Sequence, residues 1–289
     1  MDVKDDVDSR LSVTFACIVP TYRRPLLLER ALKSLAMTKN DEIIVIVDDE
    51  ERFLGESVSL AAGSIDGVRV ISTGGRLGGA GARNLGMLAS RCEFVIFLDD
   101  DDEALPDRNQ VFRQEIERYR RQHGVLPDTL LAPVLVRSSS DAYVISEKEC
   151  KKRFVKPDGS FDFYGNLRKF SRFQIGGVCV RREHATGNLF MPKLKKFQDT
   201  QFVLDVTYKS NVAVVDIPVS IYDLHMGGGV SFNLDLAGRK KDIGSFSRLF
   251  AHLLLSGKMD FLGIFRWSLR CAYVVERLLI EYWKSLLRR

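Results

Sequence analysis

The chain of 289 residues is long enough to bury a sizeable core as one large domain or one domain with an appendage. Its 45% hydrophobic and 28% charged content is ordinary for a globular protein, and its net charge of +5 is modest but uneven. Gly238–Arg289 holds 11 Lys/Arg against 4 Asp/Glu, so the preceding residues are slightly acidic as a group. Cys17, Cys92, Cys150, Cys179 and Cys271 are scattered and never form C-x-x-C, which argues against a disulfide framework or zinc cluster and for a reducing compartment. Met1 to Arg10 is acidic and polar, unlike a signal peptide, and no apolar run reaches the length of a bilayer span.

Val13 to Val19 reads as a buried strand that stops at Pro20-Thr21-Tyr22-Arg23-Arg24. Pro25 suits the first turn of a helix that runs amphipathically to Leu35. Glu42–Val47 is a second strand ending in Asp48-Asp49, a short helix fits between Phe53 and Ala62, and Val68–Ile71 is a third strand. The loop Gly74–Gly81 leads into a helix over Ala82–Ala89, and Phe94–Leu98 is a strand buried on both faces. Pro106–Gln122 is a helix, and Leu130–Val136 a strand made edge-like by Pro133. Periodicity fades from Arg137 to Arg172, an insertion placed to cover a cleft. Phe173–Arg182 restores a strand, a helix follows from Phe197 to Lys209, and Val212–Val215 is a further strand. The stretch Asp216–His225 then ends at Gly227. Strands alternating with helices at this spacing specify an α/β chain with a mostly parallel sheet.

The strand Phe94–Leu98 delivers Asp99-Asp100-Asp101-Asp102-Glu103 to its carboxyl end, where open α/β sheets bind ligands. Such a cluster either caps the next helix in solvent or holds a cation. The glycines of residues 74–81 do not make a nucleotide loop by themselves. No Gly-Lys-Ser/Thr follows Gly81, and the first strand ends in Pro-Thr-Tyr rather than a glycine motif. What they allow is close backbone approach, with Arg76 and Arg83 nearby to meet negative charge.

Taken in order, Val19-Pro20-Thr21-Tyr22-Arg23-Arg24, Ile46-Val47-Asp48-Asp49, Gly81-Ala82-Arg83-Asn84-Leu85-Gly86, Phe97-Leu98-Asp99-Asp100-Asp101-Asp102 and Gln198-Asp199 resemble the family 2 glycosyltransferases. The resemblance covers about Val13 to His225. It implies a GT-A fold, a mostly parallel central sheet flanked by helices. A Rossmann-like nucleotide-binding half would span about residues 10–103 and an acceptor half about 104–237, followed by a helical extension over 238–289. It implies inverting transfer of a sugar from a nucleotide sugar, most simply UDP-linked, to a glycan or lipid-linked acceptor in surface-polysaccharide assembly. Pro20, Thr21, Tyr22 and Arg23 would line the nucleotide pocket, Asp48 would meet the uracil, and Arg76 and Arg83 would face base or diphosphate. Asp99 and Asp101 match the D-x-D motif, with Asp101 the direct ligand of Mn²⁺ or Mg²⁺ and Asp99 meeting the ribose or metal-bound water. A hard divalent cation prefers such oxygens and eases departure of a diphosphate. Asp100 is placed with the nucleotide residues and Asp102 with the donor sugar, against a plain reading of both as solvated capping groups. Asp199 matches the general base, for which the alternative is an N-cap. The family commonly has Glu-Asp where this chain has Gln198-Asp199. His225 resembles a histidine that approaches the metal or diphosphate. A nucleotidyltransferase, which has no need of Asp199, and a non-catalytic sugar-nucleotide or glycan-binding module are the competing readings.

Beyond the resemblance, helical spacing from Arg266 puts Arg270, Arg277, Lys284 and Arg288 on one stripe. Phe265, Leu269, Ala272, Val275, Leu279, Trp283 and Leu286 fall opposite. Two readings stay open: the apolar side packs on the catalytic domain or a second copy, or the extension lies on an anionic membrane surface, peripheral on the cytoplasmic side. The tail lacks the interleaved aromatics and the fold of a nucleic-acid reader.

Overall fold

In β1 (Phe15–Thr21) the side chains from Phe15 to Val19 are all buried, but the two faces serve different cores. Phe15, Cys17 and Val19 enter one cluster, and Ala16 and Ile18 enter the other, as the two-residue period of a strand requires. β2 (Glu42–Val47) and β4 (Phe94–Phe97) alternate in the same way. That is why these runs read as continuous apolar stretches. The computed structural model describes residues 13–50, 55, 59, 67–138, 141–143, 154–156, 158, 160–169, 173–223 and 236–269.

The elements in chain order are β1, α1 (Pro25–Lys33), β2, β3 (Val68–Ser72), α2 (Gly78–Ala89), β4, β5 (Glu103–Ala104), α3 (Arg108–His123), β6 (Thr129–Leu131), β7 (Val134–Ser138) and β8 (Asp141–Tyr143). They continue with α4 (Phe163–Lys169), β9 (Val178–Arg181), α5 (Arg182–Thr186), α6 (Gln198–Thr207), β10 (Val212–Val214), β11 (Ser220–Asp223), α7 (Leu236–Leu255) and α8 (261–269). The main sheet has seven strands in the order β3-β2-β1-β4-β9-β6-β10. All neighbours are parallel except β9, which runs against β4 and β6. A second sheet, β5-β11-β7-β8, stands beside it. α1 and α3 bury Leu28, Leu32, Phe112 and Ile116 on one face of the main sheet. α2 and α6 bury Ala82, Met87, Phe202 and Val206 on the other. α2 lies so close to β1 that a Cβ at position 86 would collide with Ile18. The α/β class and the mostly parallel sheet flanked by helices are thus as the sequence leads one to expect.

Two expected strands differ. Leu130–Val136 is not one edge strand but two strands in different sheets, and β6 is interior, between β9 and β10. The chain crosses between the sheets at Ala132-Pro133, where proline has no N–H to continue a ladder. Ala132 N still donates to Gly177 O (2.8 Å) and Pro133 O accepts from Val219 N (3.2 Å). Phe173–Arg182 is a strand only from Val178; Ile175–Gly177 is a 3₁₀ turn, with Gly177 pressed against the Ala132 carbonyl where a Cβ would not fit. Of the helix expected between Phe53 and Ala62, only residues 55 and 59 are described, and both are helical. His225, about half of the 137–172 insertion and all of the basic stripe but Arg266 lie outside the described residues.

The described part of the extension packs on the rest of the chain. Phe246, Leu249, Leu253 and Trp267 close over Phe163, Leu167, Leu194 and Leu204, and Trp267 Nε1 donates to Leu167 O (2.8 Å). Within 261–269 it is Gly263 and Trp267 that face inward, while Phe265 and Leu269 are exposed beside Arg266. The two described members of the expected apolar side, Phe265 and Leu269, therefore do not make this contact. The indole is the largest side chain available for burial, and its packing sets the rotation of α8.

Candidate active site

The register of the parallel strands brings Thr21, Val47 and Ser72 level with one another, so the loops after β1, β2, β3 and β4 open on the same edge. They line a cleft of about 1030 Å³ that is also lined by residues 192 and 195–200 and by Phe173, Gln174 and Tyr222.

After β2, Asp48 is buried, and its carboxylate accepts hydrogen bonds from the backbone N–H of Leu77 and of Gly78, each 2.7 Å. Negative charge at the first turn of α2 is favourable, so Asp48 clamps the Gly74–Gly78 turn to the sheet. Asp48 also lines the cleft, on the side where the resemblance implies a contact with the base. Gly74 and Gly78 adopt φ of 70° and 81° in that turn, which only glycine takes without strain. The turn carries Arg76 over the Tyr22 ring at 4.3 Å, with Arg23 over the same ring at 5.2 Å. Arg23 itself is not among the cleft-lining residues: its guanidinium pairs with Asp49 at 2.5 Å. Its φ of 52° is unusual for a side chain larger than glycine.

The acidic run after β4 is not a solvated loop. Asp100 is fully buried, accepting from Thr21 Oγ1 (2.7 Å) and pairing with Arg24 (2.5 Å). Burial, partly offset by Arg24 and Thr21, pushes its carboxyl up to about 6. Arg24 also reaches Asp101 at 2.9 Å, and Arg30 donates to the Asp101 carbonyl. Asp102 is buried behind them and accepts from Asp223 N (3.2 Å). Burial first, then the charges of Asp99 and Asp101, push its carboxyl up to about 9. Carboxylate oxygens of Asp99, Asp101 and Asp102 lie within 4.8 Å of one another. Hard carboxylate oxygen donors gathered this closely fit a divalent cation of the Mg²⁺ or Mn²⁺ kind.

Opposite this cluster, Asp199 occupies the first turn of α6 and is half-buried. It is not an N-cap; that position belongs to Phe197, at φ 65°. Arg83 links the two walls. It is buried, bonds Asp99, and places Nη1 4.0 Å from Asp199. Burial alone would lower its pKa, but Asp99 and Asp199 hold the guanidinium above its ordinary value. Burial, with Asp99 adding and Arg83 opposing, pushes the Asp199 carboxyl up to about 6, into the range a general base needs near neutrality.

The structure therefore gathers Pro20, Thr21, Tyr22, Asp48, Arg76, Arg83, Asp99, Asp100, Asp101 and Asp199 on one cleft. Arg23 lies to its side and Asp102 behind. Sequence reasoning missed Arg24, Lys195 and Lys196, which also line it. Arg24 stands beside Arg23 in sequence, and only the turn at Arg23 decides which of the two reaches the acidic run.

Residues 16–127 match the sequence profile of the family described as Glycosyl transferase family 2. The chain is 33% identical over 102 residues to an uncharacterized glycosyltransferase of Haemophilus influenzae, covering 35% of this chain and 34% of that protein. It is 34% identical over 91 residues to the GalNAc(5)-diNAcBac-PP-undecaprenol beta-1,3-glucosyltransferase of Campylobacter jejuni, covering 30% and 29%. The matched segment thus spans about a third of each of these relatives. Among solved structures, S. aureus TarS superposes with a TM-score of 0.58 at 17% identity, covering 83% of this chain and 40% of that one. The mannosyltransferase PcManGT from Pyrobaculum calidifontis, in complex with GDP-Man and Mn²⁺, gives 0.58 at 16%, covering 93% and 73%. These distant likenesses establish the fold, the GT-A arrangement, across both halves of the cleft. The chain is thus similar to glycosyl transferase family 2 proteins over residues 16–127, and its fold is that of GT-A glycosyltransferases.

Proposed function

We propose that the protein is an inverting glycosyltransferase that moves a sugar from a nucleotide sugar to an acceptor hydroxyl. The observation that carries this reading is one cleft with a nucleotide-sized wall at the strand ends and a carboxylate of raised pKa, Asp199, on the wall opposite. The base stacks beside Tyr22 and Arg76, and the diphosphate lies toward Arg83 and the acidic run. UDP is the simplest donor nucleotide; S. aureus TarS structures hold UDP and UDP-GlcNAc, whereas the PcManGT complex holds GDP-Man. Asp99, Asp101 and Asp102 are the residues to hold a divalent ion, Asp101 as direct ligand. When bound there, the ion takes up charge developing on the departing diphosphate. Asp199 accepts the proton of the acceptor hydroxyl as that oxygen attacks the anomeric carbon from the face opposite the leaving group. Arg83 holds Asp199 and Asp99 at a fixed separation before substrate arrives.

The acceptor is a glycan or lipid-linked sugar, in keeping with the undecaprenol-linked substrate named for the Campylobacter relative. Among the described residues no helix is long and apolar enough to cross a membrane. Leu255 and Phe261, 87% and 86% exposed at the α7–α8 turn, project from the basic segment. We read that turn as resting on anionic lipid on the cytoplasmic side, where each nearby Lys or Arg contributes about 1 kcal/mol.

The test is nucleotide release from a panel of UDP- and GDP-sugars with Mn²⁺, with and without candidate acceptors. Asp199→Asn should lower transfer by about 10²- to 10⁴-fold, the usual contribution of a general base, with UDP affinity within about twofold of wild type. Transfer that survives the substitution, or nucleotide sugars that bind and never turn over, would defeat the proposal.

A further inference from the structure

Along α6, Gln201 and Asp205 fall one turn apart on the same face, and both are buried. A buried carboxylate needs partners, and those of Asp205 come largely from the C-terminal extension. His252 Nε2, on α7, lies 2.8 Å from Oδ2, and Lys258 Nζ lies 2.7 Å from Oδ1, with Gln201 Nε2 also 2.7 Å from Oδ2. An ionised carboxylate only accepts, so His252 carries its proton on Nε2. Burial would raise the Asp205 carboxyl, but His252, Lys258 and Gln201 together hold it below the ordinary carboxylate value.

The same face of the molecule holds the far wall of the cleft. Residues 188–197 have no regular secondary structure, so no ladder or helix fixes them. Side chains do so instead. Gln201 accepts from Met191 N (2.8 Å) and donates to Leu189 O (3.1 Å). Asn84, next to Arg83, bonds both the N and the O of Phe190 at 2.9 Å. The fully buried Ser245 Oγ, on α7, accepts from Lys195 N (3.2 Å) and Lys196 N (3.3 Å). An unbroken chain of bonds therefore runs from the extension through Asp205 and Gln201 to 189–191 and on to the helix that carries Arg83.

The apolar contacts of Phe246, Leu249 and Trp267 already hold the extension in place. A buried ion pair adds little to stability over apolar packing of the same volume, so its value here is geometric. We infer that His252, Lys258 and Ser245 of the extension are positioning residues, which through Asp205 and Gln201 set the acceptor wall of the cleft, and Asp199 with it, against Arg83 and Asp99. This rests on the function proposed above for its catalytic part; the anchoring of the wall does not.

The experiment uses the full chain carrying His252→Gln with Lys258→Met, and separately Ser245→Ala, which deletes one small acceptor. Amide hydrogen exchange should accelerate at least tenfold at Met191, Lys195 and Lys196, while amides of β1 and β2 stay within about twofold. The transfer kcat should fall at least tenfold, with donor KM and UDP affinity little changed, and Lys258→Arg should restore both readouts. Unchanged exchange at 189–196, exchange raised evenly across the sheet, or full kcat with a loosened wall would each overturn the inference. A wild-type chain that transfers no sugar defeats the proposed function instead, and the exchange measurement still decides whether the extension anchors the wall.

Discussion

Replacing Asp102 by Asn should stabilise the protein in the absence of metal. The folded carboxyl is pushed up to about 9, against 3.8 as its ordinary value. A carboxyl raised on folding costs nothing at low pH, where it is protonated in both states. As pH climbs past about 4 the unfolded chain releases the proton and the folded one keeps it, so stability falls by about 1.4 kcal/mol per unit until about 9. Roughly three units are crossed by pH 7, a penalty of about 4 kcal/mol from this side chain. Asn keeps the shape and can still accept from Asp223 N, but it has no charge to bury. Urea denaturation at about pH 5, 7 and 8.5 in chelator measures the effect. The variant should unfold at higher urea than wild type at pH 7, and its midpoint should decline less with pH. Asp100, pushed up to about 6, adds a penalty of the same sign over a narrower window that ends near that pH. Adding Mn²⁺ should raise the wild-type midpoint and move the variant little, since a ligand at 100 times its dissociation constant adds about 2.7 kcal/mol only where its site is intact. An Asn variant less stable than wild type at pH 7 in chelator, or one with the same pH slope, would refute the electrostatic account of the acidic run.

Two further expectations follow from packing and exposure. Gly86→Val drives a Cβ into Ile18 where α2 meets β1, and overpacking of this kind costs about 1–3 kcal/mol, read as a lower denaturation midpoint with an unchanged m value. A stable valine variant would show that α2 can move off the sheet. Leu255→Ser with Phe261→Ser alters two almost fully exposed side chains, so the fold should be untouched while sedimentation with phosphatidylserine vesicles is lost. Equal sedimentation by the double variant would remove the lipid contact.

Much of the nucleotide side was legible from residue order. The apolar runs that end at Pro20, Asp48 and Asp99 mark parallel strands and the edge at which their ligands bind, because side-chain period and strand direction are local properties. Gly78, within the glycine-rich loop, likewise reports a backbone need at a single position. The break at Pro133 was legible only in part. A proline announces an interrupted ladder, but whether the chain then ends a strand at an edge or crosses into a second sheet depends on Gly177 and Val219, about forty or more residues away.

The sequence by itself determined the α/β class, the location of the site at the strand ends, and the acids placed there, since each follows from contacts between near neighbours along the chain. The tertiary structure alone decided how those acids divide: Asp100 and Asp102 withdrawn from water, Asp99 and Asp101 facing the cleft, and Asp199 brought opposite them by Arg83. It alone decided that Arg24 rather than Arg23 meets the acidic run, and that the extension presents Trp267 inward and clamps α6 through Asp205. Burial and charge pairing depend on distances between segments remote in sequence, and no local pattern encodes those distances.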